Sequence, residues 1–163
     1  AGKIIVVDTA EVSHHATHIA GILIASGVDP SALGMAPEGT ITSFTSTDWL
    51  SEIASWASDG GMISTHSYIV DNPKDDYNKY GIYNDYSKLW DELSYSAPYL
   101  IMCTGASNNG NDHYHPDNSR YDLLASNKLG KNSIVEDFSV LEKNKDLFFF
   151  HSISFGFFPF LFS

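Results

Sequence analysis

Two stretches of this chain carry side chains that can do chemistry. The first is Ser13-His14-His15-Ala16-Thr17-His18-Ile19-Ala20-Gly21, which places three histidines within five residues. Imidazole titrates near neutral pH, so a histidine held at a helix start is a natural general base. Small neighbours such as Ala16, Ala20 and Gly21 let another backbone come close. The same histidines can also be plain solvated or capping groups. His14 and His18 lie four apart on one helical face, which is also a zinc-ligand spacing. Zincins, however, need a glutamate directly after the first histidine, where this chain has His15, and no third ligand stands out. The second stretch is Thr104-Gly105-Ala106-Ser107-Asn108-Asn109-Gly110, directly after an apolar run. An asparagine amide there can be aimed at a developing oxyanion. The same letters also spell an ordinary asparagine-glycine turn.

The elements that must position these groups can be read from periodicity. Lys3–Val7 is a β-branched run that predicts a buried strand. A helix capped by Ser13 or His14 runs to about Ser26, with Ile19, Ile22 and Leu23 on one face and Gly27 closing it. Gly34-Met35-Ala36-Pro37 is a turn, and Thr40–Thr45 alternates as a strand. Thr47 or Asp48 caps a second helix over about Trp49–Ser58, stopped by Gly60-Gly61. Met62–Ile69 predicts a strand, the acidic, tyrosine-rich stretch 71–83 a surface loop, and Asp85–Ser96 a third helix ended by Pro98. Tyr99–Thr104 predicts a strong buried strand, and 133–140 a weaker one. Strands alternating with helices imply a mainly parallel sheet in a three-layer α/β/α arrangement. In such sheets the loops at the carboxyl ends of strands build the site. The loops after Val7, Tyr68 and Thr104 meet that requirement.

Composition narrows the function classes. The chain has 163 residues, 43% of them hydrophobic and 18% charged, enough apolar side chains for a folded core. A net charge of −11 argues against a surface that tracks nucleic-acid phosphates. Cys103 is the one cysteine, so neither an intrachain disulfide nor a thiolate-only zinc site can form. No run of about 18 apolar residues predicts a membrane span. The chain opens at Ala1 and runs directly into Lys3–Val7 without a signal-peptide pattern.

Taken together and in this order, the two chemical stretches resemble the subtilisin-like serine proteases. The family motif around the catalytic histidine, His-Gly-Thr-His-Val-Ala-Gly, is similar to His15-Ala16-Thr17-His18-Ile19-Ala20-Gly21, with Ala16 in place of glycine as in a bacterial subgroup. The family's Gly-x-Ala-Pro matches Gly34-Met35-Ala36-Pro37. Its substrate-binding Ser-Leu-Gly resembles Ser67-Tyr68-Ile69, without the glycine. Its Ala-Gly-Asn-x-Gly oxyanion loop resembles Ala106-Ser107-Asn108-Asn109-Gly110, with Ser107 in place of glycine. The resemblance covers residues 3 to 140. It implies His15 as general base, Asn108 as oxyanion donor, and Thr17 and His18 as packing support around the histidine. Ser67 and Tyr68 then lie where the substrate backbone pairs by strand addition. It further implies a secreted serine endopeptidase acting on peptide or protein substrates. It allows calcium, for which Asp71, Asp75 and Asp76 offer oxygens in no recognised ligand spacing.

Part of the family pattern is missing. The nucleophile motif Gly-Thr-Ser-x-Ala-x-Pro occurs nowhere in the 163 residues. Asp8 follows a strand as the family's catalytic aspartate does, but it stands only seven residues before His15, too near for the strand that normally lies between. The expectation is therefore a partial catalytic domain over residues 1–145, with the triad aspartate upstream and the polypeptide inactive alone. Residues 146–163 hold eight of the ten phenylalanines and are expected to lie outside the core as a non-family tail.

Overall fold

The alternating β-branched and helical-period segments assemble into one sheet with helices on both faces, as the computed structural model shows. It describes residues 2–8, 13–45, 48–71, 76–106, 124–136 and 159–162. The strands are β1 (Lys3–Val6), β2 (Thr40–Ser43), β3 (Ile63–His66), β4 (Ile101–Gly105), β5 (Ile134–Glu136) and β6 (Pro159–Phe162). The helices are α1 (His14–Ile24), α2 (Trp49–Ser58) and α3 (Asp85–Ser96). Short 3-10 turns form at Pro30–Ala32, Tyr77–Lys79 and Ser126–Leu129.

Local chemistry sets the helix ends. The Ser13 hydroxyl accepts from the Ala16 amide at 3.3 Å and starts α1. Asn84 and Ser87 form a reciprocal capping box at the start of α3. α2 ends before Gly60, whose φ of 97° is a left-handed value that glycine adopts without a Cβ clash.

The strand order is β1-β2-β6-β3-β4-β5. β1 and β2 pair in parallel, as do β3 with β4 and β4 with β5. β6 runs antiparallel between β2 and β3, with Ile41, Phe162 and Ile63 in register. Five parallel strands thus surround one antiparallel strand. Of residues 146–163, which the sequence places outside the core, only Pro159–Phe162 is described, as backbone paired on both sides within the sheet.

Alternation along the strands sorts the side chains onto two faces. Ser64, His66, Met102 and Thr104 point to one face and are buried there. Under α2 and α3 this face joins a cluster of Phe44, Ile53, Trp56, Trp90, Leu93, Leu100 and Met102. Ile41 points to the other face, where α1 covers it with Ile19, Ala20 and Ile24. The prediction of a buried first strand is corrected: all four residues of β1 are exposed. β1 is an edge strand, and its β-branched letters specify extension without specifying a covering helix. Among the described residues, no helix is long and apolar enough to cross a membrane.

A candidate catalytic histidine at the carboxyl edge of the sheet

His15 sits in the first turn of α1, just after the Ser13 cap. Ser67 follows the last residue of β3. The two come near each other at the carboxyl edge of the parallel strands, close enough for the Ser67 backbone to act on the His15 ring. Burial is the main cause that lowers the His15 pKa, and the nearby His18 lowers it further. The Ser67 carbonyl works the other way, because it favours the protonated ring. The net direction is downward, so the imidazole is neutral at pH 7, the form a general base requires. Its Nε2 is buried and has no hydrogen-bond partner among the described residues.

The side chains around His15 are arranged differently from what the motif implies. Thr17 and His18 are exposed, and the Thr17 hydroxyl bonds back to the Ser13 carbonyl at 2.9 Å. Packing against the core is done by Ala16, Ile19 and Ala20. His14 is exposed as well. A Cβ at Gly21 would meet nothing within 4 Å among the described residues, so no backbone approaches there. The described residues contain no group of three or more histidines, cysteines or carboxylates able to hold a metal ion.

Ser67 is half-buried, and its neighbour Tyr68 is almost fully buried. The Tyr68 ring points inward: its hydroxyl lies 3.0 Å from His66 Nδ1. Burial first, then the negative charge of Glu52, pushes the Tyr68 phenol far above its usual range. The Tyr68 side chain is therefore enclosed and faces the core. His66 completes this polar pocket through Nε2, 2.8 Å from the Ser64 hydroxyl, and its ring meets Trp90 edge-on at 4.8 Å between centroids. Burial pulls His66 down to about 3. A serine and a histidine are thus hydrogen-bonded inside the protein, but both are fully enclosed. That pair is a core network with no substrate access. The sequence reading passed over it, although Ser64 and His66 stand two apart on a predicted strand and therefore share one face.

Asp8, at the end of β1, accepts from the Thr45 amide at 2.7 Å and stands beside Glu52 on α2. Burial, followed by the charges of Asp8 and Asp48, raises the Glu52 carboxyl. The described surroundings of Asp8 are thus Thr45 and Glu52, and those of His15 are Ser67 and His18. Of the acidic loop, Asp71 lies 4.0 Å from Lys79, and Asp76 accepts from the Asn78 backbone and side chain. Asp75 lies outside the described residues, as does Asn108. β4 leads to Ala106, which is buried, two residues before Asn108 in the sequence.

No family model, curated protein or solved structure matches this chain.

Proposed function

We propose that this chain is the histidine- and oxyanion-bearing part of a subtilisin-like serine endopeptidase, and that it does not cleave peptides by itself. The observation that carries the proposal is the His15–Ser67 contact. These residues stand 52 apart in the chain. Both were singled out by separate motifs, and the fold brings them near each other at one sheet edge. A neutral imidazole with an unpartnered Nε2 suits proton abstraction from a hydroxyl. The half-buried segment from Ser67 to Val70 leaves β3 beside that ring and suits pairing with an extended peptide backbone. Asn108 is assigned the oxyanion role on its motif alone. The absence of Gly-Thr-Ser from the sequence favours a second reading, a peptide-binding domain without catalysis.

Three experiments test these readings. Purified residues 1–163 should leave casein and a chromogenic peptide at background. Activity that vanishes in His15→Ala would reveal a nucleophile in this chain and overturn the proposal. Isotope-labelled protein titrated with an extended peptide should show shifts at the Ser67–Val70 amides and the His15 ring. No response there would sink both readings. The coding DNA past Asp146 separates them, because a Gly-Thr-Ser-x-Ala segment in another frame favours the endopeptidase.

A further inference from the structure

The sequence Ser126-Asn127-Lys128 reads as a polar surface turn, yet all three residues are buried. Turns usually run over the surface with their polar groups in water. A lysine is almost never enclosed without a partner, and here Lys128 is only 6% exposed. Each residue of the turn reaches a different part of the fold. The Ser126 carbonyl accepts from the Ser87 hydroxyl at 2.6 Å, which anchors the turn to the start of α3. Asn127 Oδ1 accepts from the Val70 amide at 3.1 Å, on the segment leaving β3. Lys128 Nζ donates to the Ala106 carbonyl, on the segment leaving β4. Ser126 holds a left-handed φ of 57°, a conformation unusual for a residue with a Cβ. Among the described residues, the Ser126 hydroxyl and Asn127 Nδ2 are buried without hydrogen-bond partners. Burial alone draws the Lys128 amine down to about 8. Strain, an enclosed amine and unpaired donors all cost stability. Three anchors on three elements are what the turn gains in return.

We propose that the turn Ser126–Lys128 is a clasp that fixes the segment after β3 relative to the segment after β4, with Asn127 and Lys128 as positioning residues. The proposal rests on the peptide-cleft reading for what is positioned. Val70 lies three residues past Ser67, and Ala106 two before Asn108. A shift of about 1 Å between groups that must act together can cost a hundredfold in rate, so a rigid tie between these strand ends has a use.

The test uses residues 1–163 with hydrogen exchange read amide by amide, global stability from denaturant unfolding, and affinity for an extended peptide. Asn127→Ala should speed exchange of the Val70 amide about tenfold beyond any change shared by the β3 amides, matching the loss of one hydrogen bond. It should also weaken peptide binding by a similar factor. Asn127→Asp keeps the acceptor oxygen and should restore Val70 protection. Lys128→Met keeps the stem, removes the amine, and should speed Val70 exchange as well, although its own bond is to Ala106. Its effect should be non-additive with that of Asn127→Ala. Val70 exchange that is unchanged, or that rises only as much as that of every other amide, overturns the clasp. Coupled exchange in a protein that binds no peptide would keep the clasp and overturn the peptide-cleft reading instead.

Discussion

The two faces of the sheet are finished to different degrees. The face under α2 and α3 is closed. Trp90 is fully buried there, its ring 5.1 Å from that of Trp49 at a tilt of 42° and edge-on to His66. Even its polar members Ser64, His66 and Tyr68 bond to one another. The face under α1 is covered over β2 only. Farther along, Ile63, Ile101 and Ile134 share that face and remain 40%, 47% and 50% exposed. Parallel sheets are normally covered on both sides, so a row of half-open isoleucines marks where the fold is least complete. The candidate base, His15, belongs to the helix on this open face. The two histidines are enclosed to different degrees: His66 is fully buried in a core network, whereas His15 is half-buried at the sheet edge with its Nε2 shielded.

The sharpest way to break this contrast is a matched pair of truncations. Trp90→Ala should cost about 3–5 kcal/mol, because a large aromatic leaves a cavity among fixed neighbours. Ile101→Ala should cost about 1 kcal/mol or less, because its side chain is half in water already. Chemical denaturation of both variants checks the pair. Equal losses would mean that the face under α1 is as closed as the other.

Acid offers a second probe of comparable size. The folded state holds His66 near 3, while the unfolded chain protonates it near 6.5. Between those values only the unfolded chain takes up the proton. The stability that His66 contributes is therefore complete above about pH 6.5 and is lost as pH falls towards 3. The total is roughly 4 to 5 kcal/mol. Unfolding free energy measured against pH should fall less steeply in His66→Phe than in the parent over this window. Identical slopes would show that His66 is hydrated in the folded protein, and the closed face would not be closed.

The smallest effect concerns how α1 is held. Ser13→Ala removes the hydroxyl that accepts from the Ala16 amide and should cost about 1 kcal/mol. Because the other end of α1 is tied by the Met35 and Ala36 amides, the helix should fray from the Ser13 end. Faster amide exchange at Ala16 and Thr17, with α3 unaffected, is the expected result. A uniform loss across all helices would instead tie α1 tightly to the rest of the fold.

Elements whose signals are local were legible in the residues. α3 was read at Asp85–Ser96 because Leu89, Trp90 and Leu93 are apolar there and Pro98 follows it, and α2 at Trp49–Ser58 from its cap and the Gly60-Gly61 stop. His15 and Ser67 could be named because each lies in a recognisable run of letters at a predicted strand or helix end. Depth was harder to read. Lys3–Val6 looked like a core strand and is an exposed edge, while Ser126-Asn127-Lys128, polar in every letter, is enclosed. Cover is supplied by residues far away in the chain, and no local pattern reports it. Pro159–Phe162 shows the same limit, since eight phenylalanines announce apolar character but not which strands pair with them.

What the sequence by itself determined was therefore the three helices and the first five strands, the alternation that makes the sheet mainly parallel, and the residue types available for acid–base chemistry. The tertiary structure alone decided which histidine is usable. His66 and His15 are the same side chain with the same ordinary pKa. One is pressed between Trp90, Ser64 and Tyr68 and held neutral far below neutral pH. The other is half-buried against the Ser67 carbonyl with a free ring nitrogen. The difference is the desolvation each meets, and desolvation depends on what the fold brings alongside rather than on any neighbouring letter.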